Sequence, residues 1–224
     1  MDANLARIRH MSVKRTLKAL EDRHFDVAYV EDRNEALKLV RSLIPAGSTT
    51  STGGSVTLLQ CGIMDYLKEE TAYIDWRAPG LGEDESRRLM GQAYAADFFL
   101  CSANALTEHG EVYQVDGQSN RISFLAHGPR KVIMVVGINK IVPHLRAAVE
   151  RVKRVAAPAN TVRLCRDTWC QKNGKCVSPS FDDDDLMCHA DCGDETICCN
   201  TLVMRTQRTR GRVTLIIVGE ELGY

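Results

Sequence analysis

The chain carries no net charge, because its 29 basic and 29 acidic side chains cancel, so no global field draws it to nucleic acid or to an anionic membrane. No apolar run approaches the length of a membrane span. The first stretch, MDANLARIRHMSVKRTLKAL, is charged throughout and lacks the apolar centre of a signal peptide, which makes the cytoplasm the expected compartment. Aromatic residues are few, at 6%. A G-x-G-x-x-G turn is absent, as is a Walker loop with its lysine, which removes two familiar phosphate-binding signatures. Cysteine is plentiful, with nine in all, yet no two stand as C-x-x-C. In a reducing compartment these are expected to be thiols or metal ligands rather than a disulfide frame.

With 44% hydrophobic residues among 224, the chain can bury a real core, and a single domain over residues 1–224 is expected. Its most distinctive stretch is Gly47 to Leu67, GSTTSTGGSVTLLQCGIMDYL. Small hydroxylated residues and glycines run from Gly47 to Ser55, and Val56, Leu59, Ile63 and Leu67 then recur at helical spacing. Gly53 and Gly54 would let the backbone approach an anion with no Cβ in the way. Ser55 is a good N-cap, and the amides after it are partly positive. Gly53, Gly54 and Ser55 are therefore candidate ligand-binding residues, while a flexible Gly/Ser/Thr connection that binds nothing fits the same pattern.

Taken in order, Leu5, Ile8, Leu17 and Leu20 predict a long amphipathic helix whose pattern breaks around Met11 to Val13. Phe25 to Val30 alternates like a strand, and Asp32 with Glu35 forms a capping box ahead of Ala36, Leu39, Val40 and Leu43. Thr71 to Asp75 predicts a short strand, and Leu89, Met90, Ala93 and Tyr94 share a helical face. This alternation predicts an α/β fold with an open, mostly parallel sheet flanked by helices. Asp97 to Ala105 reads as a strand buried on both faces. That puts Asn104, Thr107 and Glu108 at its carboxyl end, where open α/β sheets bind ligands. A turn at His109 and Gly110 leads to Val112 to Val115, and Asp116 with Gly117 reads as a hairpin turn before another strand, Arg121 to Ala126. Lys131 to Val136 is a further buried strand with Lys140 beyond its end, Ile141 to Val152 reads as a helix, and Val213 to Val218 as a last strand returning to the sheet.

Seven cysteines crowd between Cys165 and Cys199. Thiolates this dense suit zinc or an iron-sulfur cluster, and buried or redox-labile cysteines without metal fit as well. Asp182 to Asp185 reads as a solvated loop. Because the last strand should rejoin the sheet, residues 165–200 read as a cysteine-rich excursion from the domain.

Four segments in fixed order carry a resemblance: GSTTSTGGSVTLLQCGI, SANALTEHGEVYQVDGQSNRISFLAHGPRKVIMVVGINKIV, NGKC and GRVTLIIVGEELGY. They resemble the LUD domain, a lactate-utilization family formerly classed as a domain of unknown function, and are closest to its stand-alone members with a cysteine-bearing tail. The resemblance implies a fold like that of ribose-5-phosphate isomerase, glucosamine-6-phosphate deaminase and the CoA transferases. It also implies a part in lactate oxidation beside iron-sulfur partner proteins. Tail ligand positions correspond to Cys170, Cys176, Cys192 and Cys199, with Cys198 as an alternative to Cys199, and Val177 to Ala190, containing Cys188, is marked as an insertion. Glu108, in TEHG, resembles the glutamate nucleophile of some CoA transferases, and a plain turn carboxylate is the other reading. Asp116, Asn120 and Arg121, in DGQSNR, would line a cleft with Asn104, and Arg121 and Lys140 would suit a carboxylate or phosphate. Two functions follow. One is a component of organic-acid oxidation that binds a small anionic or phosphorylated ligand and passes electrons through a cysteine-bound centre. The other is a non-catalytic subunit or sensor whose metal is structural.

Overall fold

The computed structural model describes residues 2–178 and 192–224, so Asp182 to Asp185 and Cys188 lie outside the described residues. Helix α1 (Ala3–Asp22) starts at Asp2, whose carboxylate accepts the amides of Asn4 and Leu5, and it runs unbroken through Met11 to Val13. Only its second half is buried. Val13, Leu17 and Leu20 join the core, whereas Leu5, Ile8 and Met11 stay exposed. Strand β1 (Asp26–Val30) leads to α2 (Arg33–Leu43), where Asp32 caps the amides of Asn34 and Glu35. Glu35 closes the box on the amide of Glu31, one residue before the cap.

The Gly/Ser/Thr run opens as a strand. Thr49–Thr52 forms β2, which lies between β3 (Ala72–Tyr73) and β4 (Phe98–Cys101). Four hydroxyls can sit inside a sheet because each has a partner: Asp97 for Thr49, Thr71 for Thr50, the Ile74 carbonyl for Ser51 and the Tyr73 hydroxyl for Thr52. The helix that follows also departs from the single expected face. Gly62, at φ 67, separates α3 (Val56–Gln60) from α4 (Ile63–Glu70), and the change of axis buries Leu58, Ile63 and Leu67 while leaving Leu59 exposed.

After α5 (Glu83–Tyr94) and β4 the chain enters a second sheet. Strands β5 (Ala105–Thr107) and β6 (Val112–Asp116) pair across the expected turn at His109 and Gly110, so the hairpin lies there and not at Asp116 and Gly117. The expected strand over Arg121 to Ala126 is instead a helix, α6 (Asn120–Ala126). The reason is local. The Asp116 carboxylate accepts the amide of Ile122 and turns the chain into a helix, so the ladder edge of β6 goes to β9 (Asn200–Met204), which was not expected. Beyond β7 (Lys131–Gly137), the expected helix begins late. Pro143 holds Val142 extended, so β8 (Ile141–Val142) pairs with β5, and α7 (Leu145–Arg151) starts only after His144. A π-helical turn over Val152–Ala156 continues it into α8 (Ala157–Arg163), followed by α9 (Trp169–Asn173) and β10 (Val213–Val218).

Six strands form an all-parallel sheet in the order β1-β10-β7-β4-β2-β3, and β8-β5-β6-β9 form the smaller mixed sheet. Both faces of the larger sheet are covered. Val132, Met134, Val136, Leu215 and Ile217 face the core shared with α1, α5 and α6. Ile133, Val135, Ile216 and Val218 face the core shared with α2 and α4. Strands buried on both faces need continuous apolar runs, and each fully buried aliphatic side chain contributes roughly 1.5–3 kcal/mol. Among the described residues no helix is long and apolar enough to cross a membrane.

Candidate functional site

A cavity of about 620 Å³ opens beyond the carboxyl ends of β2, β4 and β6. The corner residues Gly53, Gly54 and Ser55 line it, as do Asn104, Asp116, Asn120 and Arg121 from the second sheet and α6, and Lys140 from the turn after β7. Every ligand-binding candidate read from the sequence therefore borders one space. Glycine is needed at the corner for room rather than for backbone freedom, since neither Gly53 nor Gly54 has a positive φ. A Cβ on Gly53 would stand 3.2 Å from Phe99 and Arg121, and one on Gly54 would stand 3.3 Å from Arg77 Nη1. Ser55 accepts the amide of Leu58 and caps α3. That helix is only five residues long, so charge at the cavity comes mainly from side chains.

Arg121 is fixed from one side. Its Nη2 donates to Asn104 Oδ1 at 2.9 Å and to the Val115 carbonyl at 2.8 Å, and it pairs with Asp116 at 2.7 Å. Asn120 serves the helix start, accepting the amide of Arg121. Lys140 is 2% exposed, and its Nζ donates to Thr57 Oγ1 and Ser102 Oγ, both at 3.1 Å. Among the described residues no carboxylate pairs with it. Burial, reinforced by the positive charges of Arg151 and Arg121, pushes the amine down to about 7. Arg151 donates to the carbonyls of Asn104 and Asn139, and its own burial takes it down to about 10.

The sequence reading missed Arg77 and Arg163. Arg77 donates to the Thr52 carbonyl at 2.9 Å and lies 4.7 Å over the Trp76 ring, and burial lowers its pKa, helped by Arg163 and Arg121. A signal existed, because Trp76 and Arg77 follow the carboxyl end of a parallel strand, the position that singled out Asn104. Arg163 lies at the end of α8 and bonds Asn160. No local motif marks it.

Basic side chains outnumber acidic ones around the cavity: Arg77, Arg121, Lys140, Arg163 and Arg166 against Asp116, Asp194 and Glu195. Asp116 is engaged by Arg121, and Glu195 by Arg166 and the amide of Asp167. Three lining residues also carry buried polar atoms with no partner among the described residues, namely Trp76 Nε1, Arg121 Nε and Tyr224 OH. Indole and guanidinium nitrogens can only donate, and an unmet buried donor costs about 1–3 kcal/mol. The site thus lacks acceptors.

Glu108 does not join this group. Its carboxylate accepts from Ser12 Oγ at 2.5 Å and Arg15 Nε at 2.6 Å, both on α1, and the Arg15 bond holds it below the usual carboxylate range. The cysteines of the tail have varied settings. Cys170 is buried with its sulfur 3.3 Å from Thr161 Oγ1 and 3.4 Å from Thr168 Oγ1, and Cys176 accepts the amide of Ser178. Cys192 and Cys198 are buried, Cys198 borders the cavity, and Cys199 is exposed with its thiol toward the Thr196 carbonyl. Among the described residues no group of three or more His, Cys, Asp or Glu side chains is placed to hold a metal ion.

A family model described as the LUD domain matches residues 13–218. Among solved structures the chain is similar to a DUF162 family protein from Deinococcus radiodurans, with 17% identity, a TM-score of 0.49, and coverage of 94% of this chain and 97% of that one. No curated protein matches it.

Proposed function

This chain belongs to the LUD domain family, associated with lactate utilization in general, and we propose that it serves organic-acid metabolism by binding a small anion in the cavity beside Gly53, Gly54 and Lys140. The observation that carries this reading is a surplus of donors. Lys140 and Arg77 have no carboxylate partner among the described residues, and Trp76 Nε1 and Arg121 Nε have no acceptor. Carboxylate or phosphate oxygens supply acceptors and negative charge together, and a guanidinium matches their geometry. At about 620 Å³ the cavity falls within the ~300–1,000 Å³ of ordinary small-molecule sites.

Titration calorimetry at pH 6.5 tests the reading with lactate and other short hydroxy acids, phosphorylated sugars, nucleotides and CoA esters. Binding of at least one anion is expected, weakened tenfold or more in Arg77→Ala and in Lys140→Met. No binding from the whole panel would end the reading, as would full affinity in both folded variants. An iron-sulfur or zinc centre in the cysteine segment, and iron-sulfur partner proteins, have no comparable support among the described residues, and no step of this proposal runs through them. Anaerobic purification with metal analysis and an absorption spectrum tests that centre separately.

A further inference from the structure

Resting on this anion-binding reading, we infer that the Lys140 amine is a nucleophile that forms an imine with the carbonyl carbon of a small 2-oxo acid held in the cavity. A buried lysine kept for its charge needs a carboxylate. Among the described residues no carboxylate pairs with it: of the acids lining the cavity Asp116 is taken by Arg121 and Glu195 by Arg166, and Lys140 Nζ donates to the hydroxyls of Thr57 and Ser102. The groups that bear on its charge are the cations Arg151 on α7 and Arg121 on α6, with the buried thiols of Cys101 on β4 and Cys61 after α3. Those thiols are pushed up by burial, to about 12 and about 11, so they are neutral and offer the ammonium nothing. At pH 7 roughly half of the Lys140 amines carry a lone pair, against fewer than about one in a thousand for an ordinary lysine. Space around the amine is also preserved. Gly223 has no side chain, and a Cβ there would stand 3.2 Å from Lys140 Nζ and 2.5 Å from Thr57 Oγ1.

The surplus donors name the other half of the substrate. A 2-oxo acid places a carboxylate next to its carbonyl, so the carboxylate can take the donors of Arg77, Trp76 and Arg121 while the carbonyl carbon meets the amine. In the addition the Nζ lone pair forms the C–N bond and the carbonyl oxygen gains a proton shuttled from Nζ through the Ser102 hydroxyl. A second proton, taken up from solvent, lets that oxygen leave as water while the nitrogen lone pair forms the C=N bond, and the protonated imine remains. No oxidant or reductant is consumed. The protonated imine returns positive charge to the place of the ammonium and draws electrons from a bond on the neighbouring carbon.

The test traps the imine by hydride reduction. The full-length protein is incubated at pH 7 with cyanoborohydride and glyoxylate, pyruvate or 2-oxobutanoate, and the adduct is located by peptide mapping. The expected result is one stable adduct on the Lys140 peptide; with pyruvate it adds the mass of pyruvic acid less one oxygen atom. It should form at least tenfold faster than on exposed lysines such as Lys14 and Lys18, and its rate should rise from pH 6 to pH 8. Acetaldehyde, which has no carboxylate, should label Lys140 at least tenfold more slowly. Adducts spread evenly over surface lysines, or an unchanged adduct in Lys140→Arg, would overturn the inference. Calorimetry with the same acids and no hydride separates the two ideas. Binding without a Lys140 adduct removes the imine and leaves the anion site, whereas absence of any binding removes both.

Discussion

Lys140 is held where its charge has little support, and that has a measurable cost. Its folded pKa of about 7 lies below the ordinary lysine value of 10.5, so between those values the folded chain binds fewer protons than the unfolded one. Stability from this group therefore rises with pH across that window, and its full penalty applies below it. Lys140→Met removes the penalty and leaves two hydroxyls to re-pair. The variant should be more stable than the parent at pH 6, by about 2–4 kcal/mol, with the gap narrowing toward pH 10. Urea unfolding at the two pH values decides it, and a gap that does not narrow would mean that Lys140 is not the group titrating. Gly54 makes a second residue-scale prediction. Gly54→Val would press on Arg77 without backbone strain, so anion affinity should fall about tenfold while stability changes by less than about 1 kcal/mol. Unchanged affinity in the folded variant would take the corner out of the site. The corner and the DGQSNR residues were legible because small residues and strand ends are local features. Arg163 was not, because only tertiary packing brings α8 to the cavity.

At the scale of elements, the β5–β6 hairpin is clamped to α1. Glu108 pairs with Arg15 and accepts from Ser12, Arg23 donates to the His109 carbonyl, and Gly110 lies so close to α1 that a Cβ would stand 2.5 Å from the Ala19 carbonyl oxygen. Gly110 also has φ 79, so Gly110→Ala combines strain with a backbone clash and should cost about 2–4 kcal/mol in urea unfolding. Glu108→Gln should destabilise slightly at pH 7 and leave anion binding intact. Because the Glu108 carboxyl has a lowered folded pKa, its contribution is present above the unfolded value and is lost as pH falls through the folded one. The difference between Glu108→Gln and the parent should therefore close in acid. Loss of anion binding in this variant would instead return Glu108 to the site. The extent of strand β2 and the helical state of α6 went beyond the sequence reading. Strand β2 carries hydroxyls where a buried strand usually carries aliphatics, and those hydroxyls are acceptable only because Asp97, Thr71, Ile74 and Tyr73 meet them across the sheet. Helix α6 was hidden by an Asp-Gly pair whose aspartate turns out to serve Ile122 and Arg121.

For the whole molecule the decisive feature is β10, the last strand in sequence, which lies inside the larger sheet between the edge strand β1 and β7. Removing residues 213–224 would leave β1 without a partner, bare one edge of β7 and open both apolar layers, so the shortened chain should lose its cooperative thermal transition by circular dichroism. A sharp transition near that of the parent would show that the remaining strands close the sheet without it. The sequence by itself determined the α/β class, the alternating helices and buried strands, the caps at Asp32 and Ser55, and a minority of the residues that line the cavity. These follow from periodicity, capping and turn chemistry within a few residues of each position. Strand order, the second sheet, the company of Arg77 and Arg163, and the lowered pKa of Lys140 were decided only by tertiary structure. Each depends on which distant segments exclude water from a given atom, and that is set by the packing of the whole chain.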